Sequence, residues 1–192
     1  MIPDLKEQLR LELQQKRDDY MKSRELKGIG KAILDKLIAT AIIPSDAVIG
    51  SYWPVKSEVD VRPLLSHFYK RGHKCGLPIV QAQNKPLVFR EWSPGELLVS
   101  GLYNILTPDD NAPLVNPTVL FIPVLGFDRQ GHRLGHGEGY YDRTLETLRA
   151  DHPIIAIGIA YDCQEVDSIP YEHFDQRLNY IITPTQIIEI KE

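Results

Sequence analysis

Val119-Leu120-Phe121-Ile122-Pro123-Val124 leads into a glycine-dense stretch, Gly126 to Gly139, then Tyr140-Tyr141-Asp142-Arg143, and later Ile154-Ile155-Ala156-Ile157-Gly158-Ile159-Ala160. The first run is apolar without alternation, the pattern of a strand covered on both faces. The last has the same character. Between them a turn at Asp128–Gly131 and a helix over about 139–150 fill the span. Strand, glycine-rich turn, helix and strand together predict an α/β fold with a largely parallel sheet.

The rest of the chain extends that pattern. Residues 3–22 read as a helix, with Pro3 and Asp4 in its first turn and Leu5, Leu9 and Leu13 recurring at helical spacing. A second helix covers about 28–41, with Ile29, Ile33, Leu37 and Ala41 on one stripe and Pro44 beyond its end. Ala47 to Trp53 reads as a buried strand. Asp60 can cap a helix over about 61–71, with Gly72 just past it. Lys74–Val80 and Leu87–Trp92 read as strands. Residues 93–117 hold most of the turn chemistry and read as a long excursion over the sheet edge. Tyr180–Ile182 reads as a last short strand. No internal repeat or low-complexity tract interrupts the series, and a single domain over 1–192 is expected.

Composition narrows the function. With 43% hydrophobic and 25% charged residues the chain is ordinarily globular. Its net charge of −4 argues against a nucleic-acid partner, which asks for a basic face. No stretch approaches the roughly 20 apolar residues of a membrane span, and the start has no basic region followed by an apolar run, so a cytoplasmic location is expected. Cys75 and Cys163 form no CxxC pair and read as buried strand-end thiols.

The chemistry concentrates in residues 126–143. Glycines at 135, 137 and 139 let backbone N–H groups converge without Cβ obstruction. The helix start that follows adds a positive partial charge and unpaired donors. Arg133 and Arg143 flank it, and Asp142 is placed for a phosphate-bridging Mg²⁺. Such a cradle suits a triphosphate. The plainer alternative is a strand-to-helix connection whose glycines permit tight packing. A Walker A loop is excluded, because no Gly-Lys-Ser/Thr follows. A dinucleotide reading stays open: the pattern is GxGxG, and Asp162 stands about 20 residues on, where a ribose-binding acid would be. His132 and His136 are four apart, but intervening glycines argue against a helical zinc pair.

Arg133-Leu134-Gly135-x-Gly137-x-Gly139-Tyr140-Tyr141-Asp142, after Pro123-x-Leu125-Gly126-Phe127-Asp128-x-x-Gly131, resembles the signature of the 5-formyltetrahydrofolate cyclo-ligase family. The resemblance extends to Lys6-x-x-Leu9-Arg10, Tyr52-Trp53-Pro54 through Glu58-Val59-Asp60, Trp92-x-Pro94-Gly95, Tyr103-Asn104-Ile105-x-x-Pro108 and Asp175-x-Arg177. It implies a three-layer open sheet of the isomerase and CoA-transferase type. It also implies conversion of 5-formyltetrahydrofolate and ATP to 5,10-methenyltetrahydrofolate, ADP and phosphate, through phosphorylation of the formyl oxygen. Mg²⁺ would accompany ATP, and a monomer is expected.

By the same resemblance, Lys6, Arg10 and the run Arg133, Leu134, Gly135, His136, Gly137, Glu138, Gly139, Tyr140 and Tyr141 would bind ATP. Lys6, Arg133 and Tyr140 would serve catalysis. Trp53 and Glu58 would hold the folate, with His136 to Tyr140 also facing it. Asp142 and Asn179 would hold the metal. From spacing alone, Lys6 and Arg10 share a helix face and read first as solvated charges, while Trp53 reads equally as core and Glu58 equally as a charge approaching a helix. The chain departs from the family in three places. Phe174 precedes Asp175 where a His-Asp pair is usual, and Asn179, a weaker Mg²⁺ ligand, stands where an acid would fall. Glu138 puts a negative charge in the loop, expected to weaken ATP binding unless it points outward. Two other functions compete: a folate- or nucleotide-binding relative without turnover, and an NAD(P)-binding oxidoreductase using Asp162.

Overall fold

The computed structural model describes residues 2–22 and 28–191. Its elements run α1 (Ile2–Lys22), α2 (Ile29–Thr40), β1 (Ile49–Gly50), α3 (Arg62–Lys70), β2 (Cys75–Ile79), β3 (Val88–Glu91), β4 (Val99–Ser100), β5 (Leu106–Thr107), β6 (Leu114–Val115), β7 (Val119–Pro123), β8 (Gly126–Phe127), β9 (Arg133–Leu134), α4 (Tyr140–Asp151), β10 (Ile155–Ile159), β11 (Tyr180–Ile182) and β12 (Ile187–Glu189). Eight strands form one sheet in the order β12-β11-β10-β7-β1-β2-β3-β6. The five from β11 to β2 are parallel, and antiparallel strands finish both edges. The expected α/β class and largely parallel sheet are what the chain forms.

The apolar runs explain the layering. Successive side chains of β7 point to opposite faces. Val119 and Phe121 pack with Ile33, Leu37, Leu64 and Phe68 of α2 and α3. Leu120 and Ile122 pack with Leu145 and Leu148 of α4 on the other face. A strand with both faces covered must be apolar at every position, as this one is.

Three expectations change in the structure. The Ala47–Trp53 strand keeps only Ile49 and Gly50 in the ladder, with hydrogen bonds reaching Ser51, because the chain leaves the sheet toward Pro54. The 93–117 excursion is more ordered than its turn residues suggest. β4 and β5 pair as a ribbon around a 3₁₀ turn at Leu102–Asn104, and β6 then pairs with β3 as the sheet edge. Finally, α1 buries only part of the 5–9–13 stripe: Leu5 is exposed, Leu9 and Leu13 pack in a small core, and the polar Lys6 and Arg17 are buried as well. A helix lying on a polar crevice presents polar side chains inward. The β8–β9 hairpin and β12 gave no sequence signal, being two or three residues long.

The chain turns direction in the sheet between β1 and β7. From β1 it moves outward through β2, whereas from β7 it moves the other way through β10 and β11. Ligands of open α/β sheets bind beyond the carboxyl ends of the strands at such a reversal. α1 lies over this edge. Leu13 joins Leu125, Leu134 and Ile169 in a small separate core, and a Cβ on Gly126 would stand 2.3 Å from Leu13 Cδ1. No helix among the described residues is long and apolar enough to cross a membrane.

Cys75 is buried at the start of β2, as read from sequence; Cys163 instead sits half-buried in the 3₁₀ turn Asp162–Gln164. Burial pushes the Cys75 thiol up to about 12 and raises Cys163 as well. Only the thiolate is nucleophilic. At pH 8 a chromogenic disulfide reagent is therefore expected to label Cys163 slowly and Cys75 only after unfolding. Rapid labelling of two thiols in the folded protein would contradict this burial.

Candidate active site

Five segments meet at the carboxyl edge: α1, the turn after β1, the ribbon β4–β5, the loop from β8 to α4, and residues 162–175. The loop is built outward from a buried carboxylate. Asp128 has no solvent exposure, and it accepts the N–H groups of Gln130, His132 and Ile169 and faces the His132 ring at 3.0 Å. These bonds close the turn that Gly131 makes with a positive φ of 87°. β9 then pairs back on β8, and the chain emerges at Gly135.

From Gly135 to Glu138 the loop is exposed. Among the described residues no acceptor engages the amide N–H groups of residues 135–139. Gly137 and Gly139 take positive φ, and Gly139 leads into α4 without a side-chain cap, so the first donors of the helix are open too. Arg10 reaches from α1 to lie over Gly137 and donates through Nε to the Gly135 carbonyl at 3.0 Å. Arg143 donates to the Glu138 carbonyl at 2.5 Å and lies over the Tyr140 ring. Glu138 itself is exposed, and its charge acts on Tyr140 beside it.

Other cations are held by carboxylates. The Lys6 ammonium, nearly buried, lies 2.5 Å from Asp175 and 3.2 Å from Glu172. The Arg133 guanidinium, 5% exposed, donates to Asp142 Oδ1 at 2.6 Å and to the Gln176 carbonyl. Leu134 is buried in the small core beneath α1. Arg17, almost wholly buried, donates to Ser57 and Gln14. Thus α1 is tied down near its start, middle and end, at Lys6, Arg10 and Arg17.

Across from the loop, Glu58 has a side chain only 6% exposed, with Oε2 accepting the Val55 N–H and Oε1 3.6 Å from His136 Nε2. Burial, and secondly the Glu58 charge, drive the Tyr52 and Tyr141 phenols well above their ordinary range. Both remain neutral hydroxyls at physiological pH. Trp53 is partly buried, with Trp92 edge-on at 5.6 Å and the Arg62 guanidinium 5.7 Å over its ring. The Tyr140 hydroxyl sits 3.2 Å from that of Tyr103, and chiefly this bond raises Tyr140 to about 12.

This arrangement joins a nest of free amides with cations, a buried carboxylate and aromatic surface. A model of the 5-formyltetrahydrofolate cyclo-ligase family matches residues 3–184. The chain belongs to that family. It is 34% identical over 137 residues to the Escherichia coli K12 5-formyltetrahydrofolate cyclo-ligase, covering 69% of this chain and 75% of that protein. The Mycolicibacterium smegmatis cyclo-ligase is 32% identical, with 96% of each chain covered. Among solved structures, the 5,10-methenyltetrahydrofolate synthetase of Aquifex aeolicus aligns with a TM-score of 0.79 at 26% identity, over 98% of this chain and 94% of that one. The Mycoplasma pneumoniae synthetase aligns at 0.70 and 25% identity, over 93% and 98%.

Two residues singled out from the sequence have partners within the protein. Asn179 is engaged within the protein. Its Oδ1 accepts the Ala156 N–H at 2.8 Å, locking β11 to the amino end of β10, and Arg149 approaches the same oxygen at 3.4 Å. Arg149 lies seven residues along α4 from Asp142, roughly 10 Å of helix. A cation there opposes a metal. Asp162, the candidate ribose ligand, accepts the hydroxyls of Thr183 and Thr185, so its carboxylate ties the segment after β10 to the turn between β11 and β12. The dinucleotide reading loses its acid.

Sequence reasoning gave no role to Glu172, Arg17 or Ser57. Each is matched to its partner only by the fold, and a charged residue on a charged helix carries no local sign of burial. Asp142 and Arg133 form an enclosed ion pair in the site's wall. Asp142→Ala strands that guanidinium, and a loss of about 3 kcal/mol in urea unfolding is expected, as for other enclosed pairs broken on one side. A loss under about 1 kcal/mol would show the pair to be solvated.

Proposed function

We propose that the chain catalyses the ATP-dependent conversion of 5-formyltetrahydrofolate to 5,10-methenyltetrahydrofolate, with release of ADP and phosphate. The observation that carries the reading is the row of unengaged amides at 135–139 with Arg10 laid over Gly137. Membership of the cyclo-ligase family supports it. An amide oxygen is a poor nucleophile and a worse leaving group, so the formyl group needs activation. Transfer of the γ-phosphoryl to that oxygen makes an imidate phosphate, which N10 attacks to close the ring and expel phosphate. Phosphoryl transfer asks the protein for positioning and charge stabilisation more than for covalent chemistry.

In this reading the loop amides and the open start of α4 receive phosphate oxygens, and Arg10 and Lys6 add charge. Lys6 exchanges its carboxylate partners for phosphate. Arg133 braces the loop through Asp142, and Tyr140 and Tyr141, as neutral hydroxyls, donate into the crevice. Glu58 accepts ring N–H groups of the folate beside Trp53, with His136 adjacent. The residues offer Mg²⁺ no cage: among the described residues no three acidic, histidine or cysteine side chains cluster. One oxygen of Asp142 is already taken by Arg133 and the Gln176 N–H. Mg²⁺, which binds through one or two carboxylates plus phosphates and water, fits as a partner of bound ATP, where it would neutralise phosphate charge. Action in the cytoplasm as a monomer completes the proposal.

Purified protein with ATP, Mg²⁺ and 5-formyltetrahydrofolate is expected to develop the near-ultraviolet absorbance of the methenyl product. Folate binding without that signal would identify a relative lacking turnover. Arg10→Ala is expected to lower kcat/KM roughly 10²-fold, about 2.7 kcal/mol, with a folded circular-dichroism spectrum, as for other lost electrostatic donors. Unchanged kinetics would remove Arg10 from the phosphate site.

A further inference from the structure

Three cations gather where the far end of α4 meets the segments that precede β11 and follow β12. A cavity of 260 Å³ opens there, lined by Arg149, Arg177, Leu178, Asn179, Ile190 and Lys191. Its floor is apolar and fixed, because Leu178 is buried and Ile190 packs against the same core. Its charged groups all have one sign. Arg149, partly buried, donates to Gln176 Oε1 at 3.0 Å and to the Arg177 carbonyl at 2.7 Å, with Asn179 Oδ1 at 3.4 Å. Arg177 donates from Nε to the Gln130 carbonyl at 2.7 Å. These acceptors are neutral.

Among the described residues no ion pair engages Arg149, Arg177 or Lys191, although Glu146 stands three residues before Arg149 on α4. Elsewhere the fold answers enclosed cations with carboxylates, as at Lys6 and Arg133. Burial, and secondly the charge of Arg133, hold the Arg149 guanidinium below its ordinary value. Gln176 accounts for the nearness of the two arginines, since its carbonyl accepts Arg133 while its side chain accepts Arg149. A cation taken partly out of water beside other cations is costly, and an anion in the cavity relieves that cost.

We propose that this cavity binds a phosphate group, as the free ion or on a small phosphomonoester, at a site separate from the glycine loop. Arg149 lies roughly 15 Å along α4 from Gly139, so one phosphate cannot serve both places. A carboxylate brings one charge and two oxygens, which a single guanidinium fork satisfies. A phosphate brings up to two charges and three or more oxygens, and it takes donors from several directions. Two guanidiniums and an ammonium around one cavity meet that demand. The site does not depend on the cyclo-ligase reaction.

Amide NMR of the isotope-labelled full chain tests the proposal, because it reads the two places separately. Titration with inorganic phosphate at constant pH and ionic strength is expected to shift the amides of Leu178, Asn179 and Ile190 along a saturable curve. Arg177→Ala combined with Lys191→Ala, both at exposed positions, should weaken that curve about tenfold or more, the worth of lost charge-assisted bonds. Any phosphate shifts at 135–139 should stay within about twofold in the same variant. Glycerol phosphate is the second arm. Binding about fivefold tighter than free phosphate assigns the cavity to a phosphomonoester, and equal or weaker binding assigns it to the free ion. Shifts that do not saturate, that acetate reproduces at equal ionic strength, or that the double substitution leaves unchanged would each overturn the site. Phosphate shifts confined to 135–139 would overturn it as well.

Discussion

Leu13 against the bare Cα of Gly126 is the contact on which the site depends. A Cβ at 126 would stand 2.3 Å from Leu13 Cδ1, so a side chain there would push the leucine, and α1 with it, away from β8. Once seated, the helix carries its polar residues to separate loops. Lys6 reaches the 172–175 segment, Arg10 the glycine loop and Arg17 the turn after β1. The helix is held less by apolar burial than by these bonds, which is why its inward face contains two cations and one leucine.

Electrostatics then sets which charges are ready and which are stored. Arg10 is bonded to a neutral carbonyl and to a largely exposed Glu7, so its positive field remains available at Gly137. Lys6 and Arg133 are paired with carboxylates in enclosed surroundings, where breaking a pair without a replacement partner is costly. A phosphate arriving at Lys6 replaces one anion with another. Arg133 is placed differently, since its pair with Asp142 also receives the Gln176 N–H and joins α4 to the 176 segment. Its contribution is to hold the loop's shape.

Much of the fold was legible from pattern. Doubly covered strands must be apolar throughout, and β7 and β10 announce themselves that way. Helices α2 and α3 show their inward stripes because those stripes meet an apolar sheet. The same rule reads α1 only in part: Leu9 and Leu13 meet a small core, while Leu5 is exposed and Lys6 and Arg17 are buried. The ribbon at 99–107 looked like turns because its strands are two residues long and stabilised mainly by their closure.

From sequence alone came the class of fold, the position of the glycine loop between a central strand and a helix, and a family signature running along most of the chain. These depend on local spacing, which one dimension records. Tertiary structure alone decided which partner each polar group takes: Asn179 accepts the Ala156 N–H, Asp162 accepts the Thr183 hydroxyl, Lys6 is held by two acids, and Tyr103 reaches Tyr140. Pairing of side chains far apart in the chain depends on how α1, α4 and the ribbon are set against the sheet edge, and no residue type or interval encodes that.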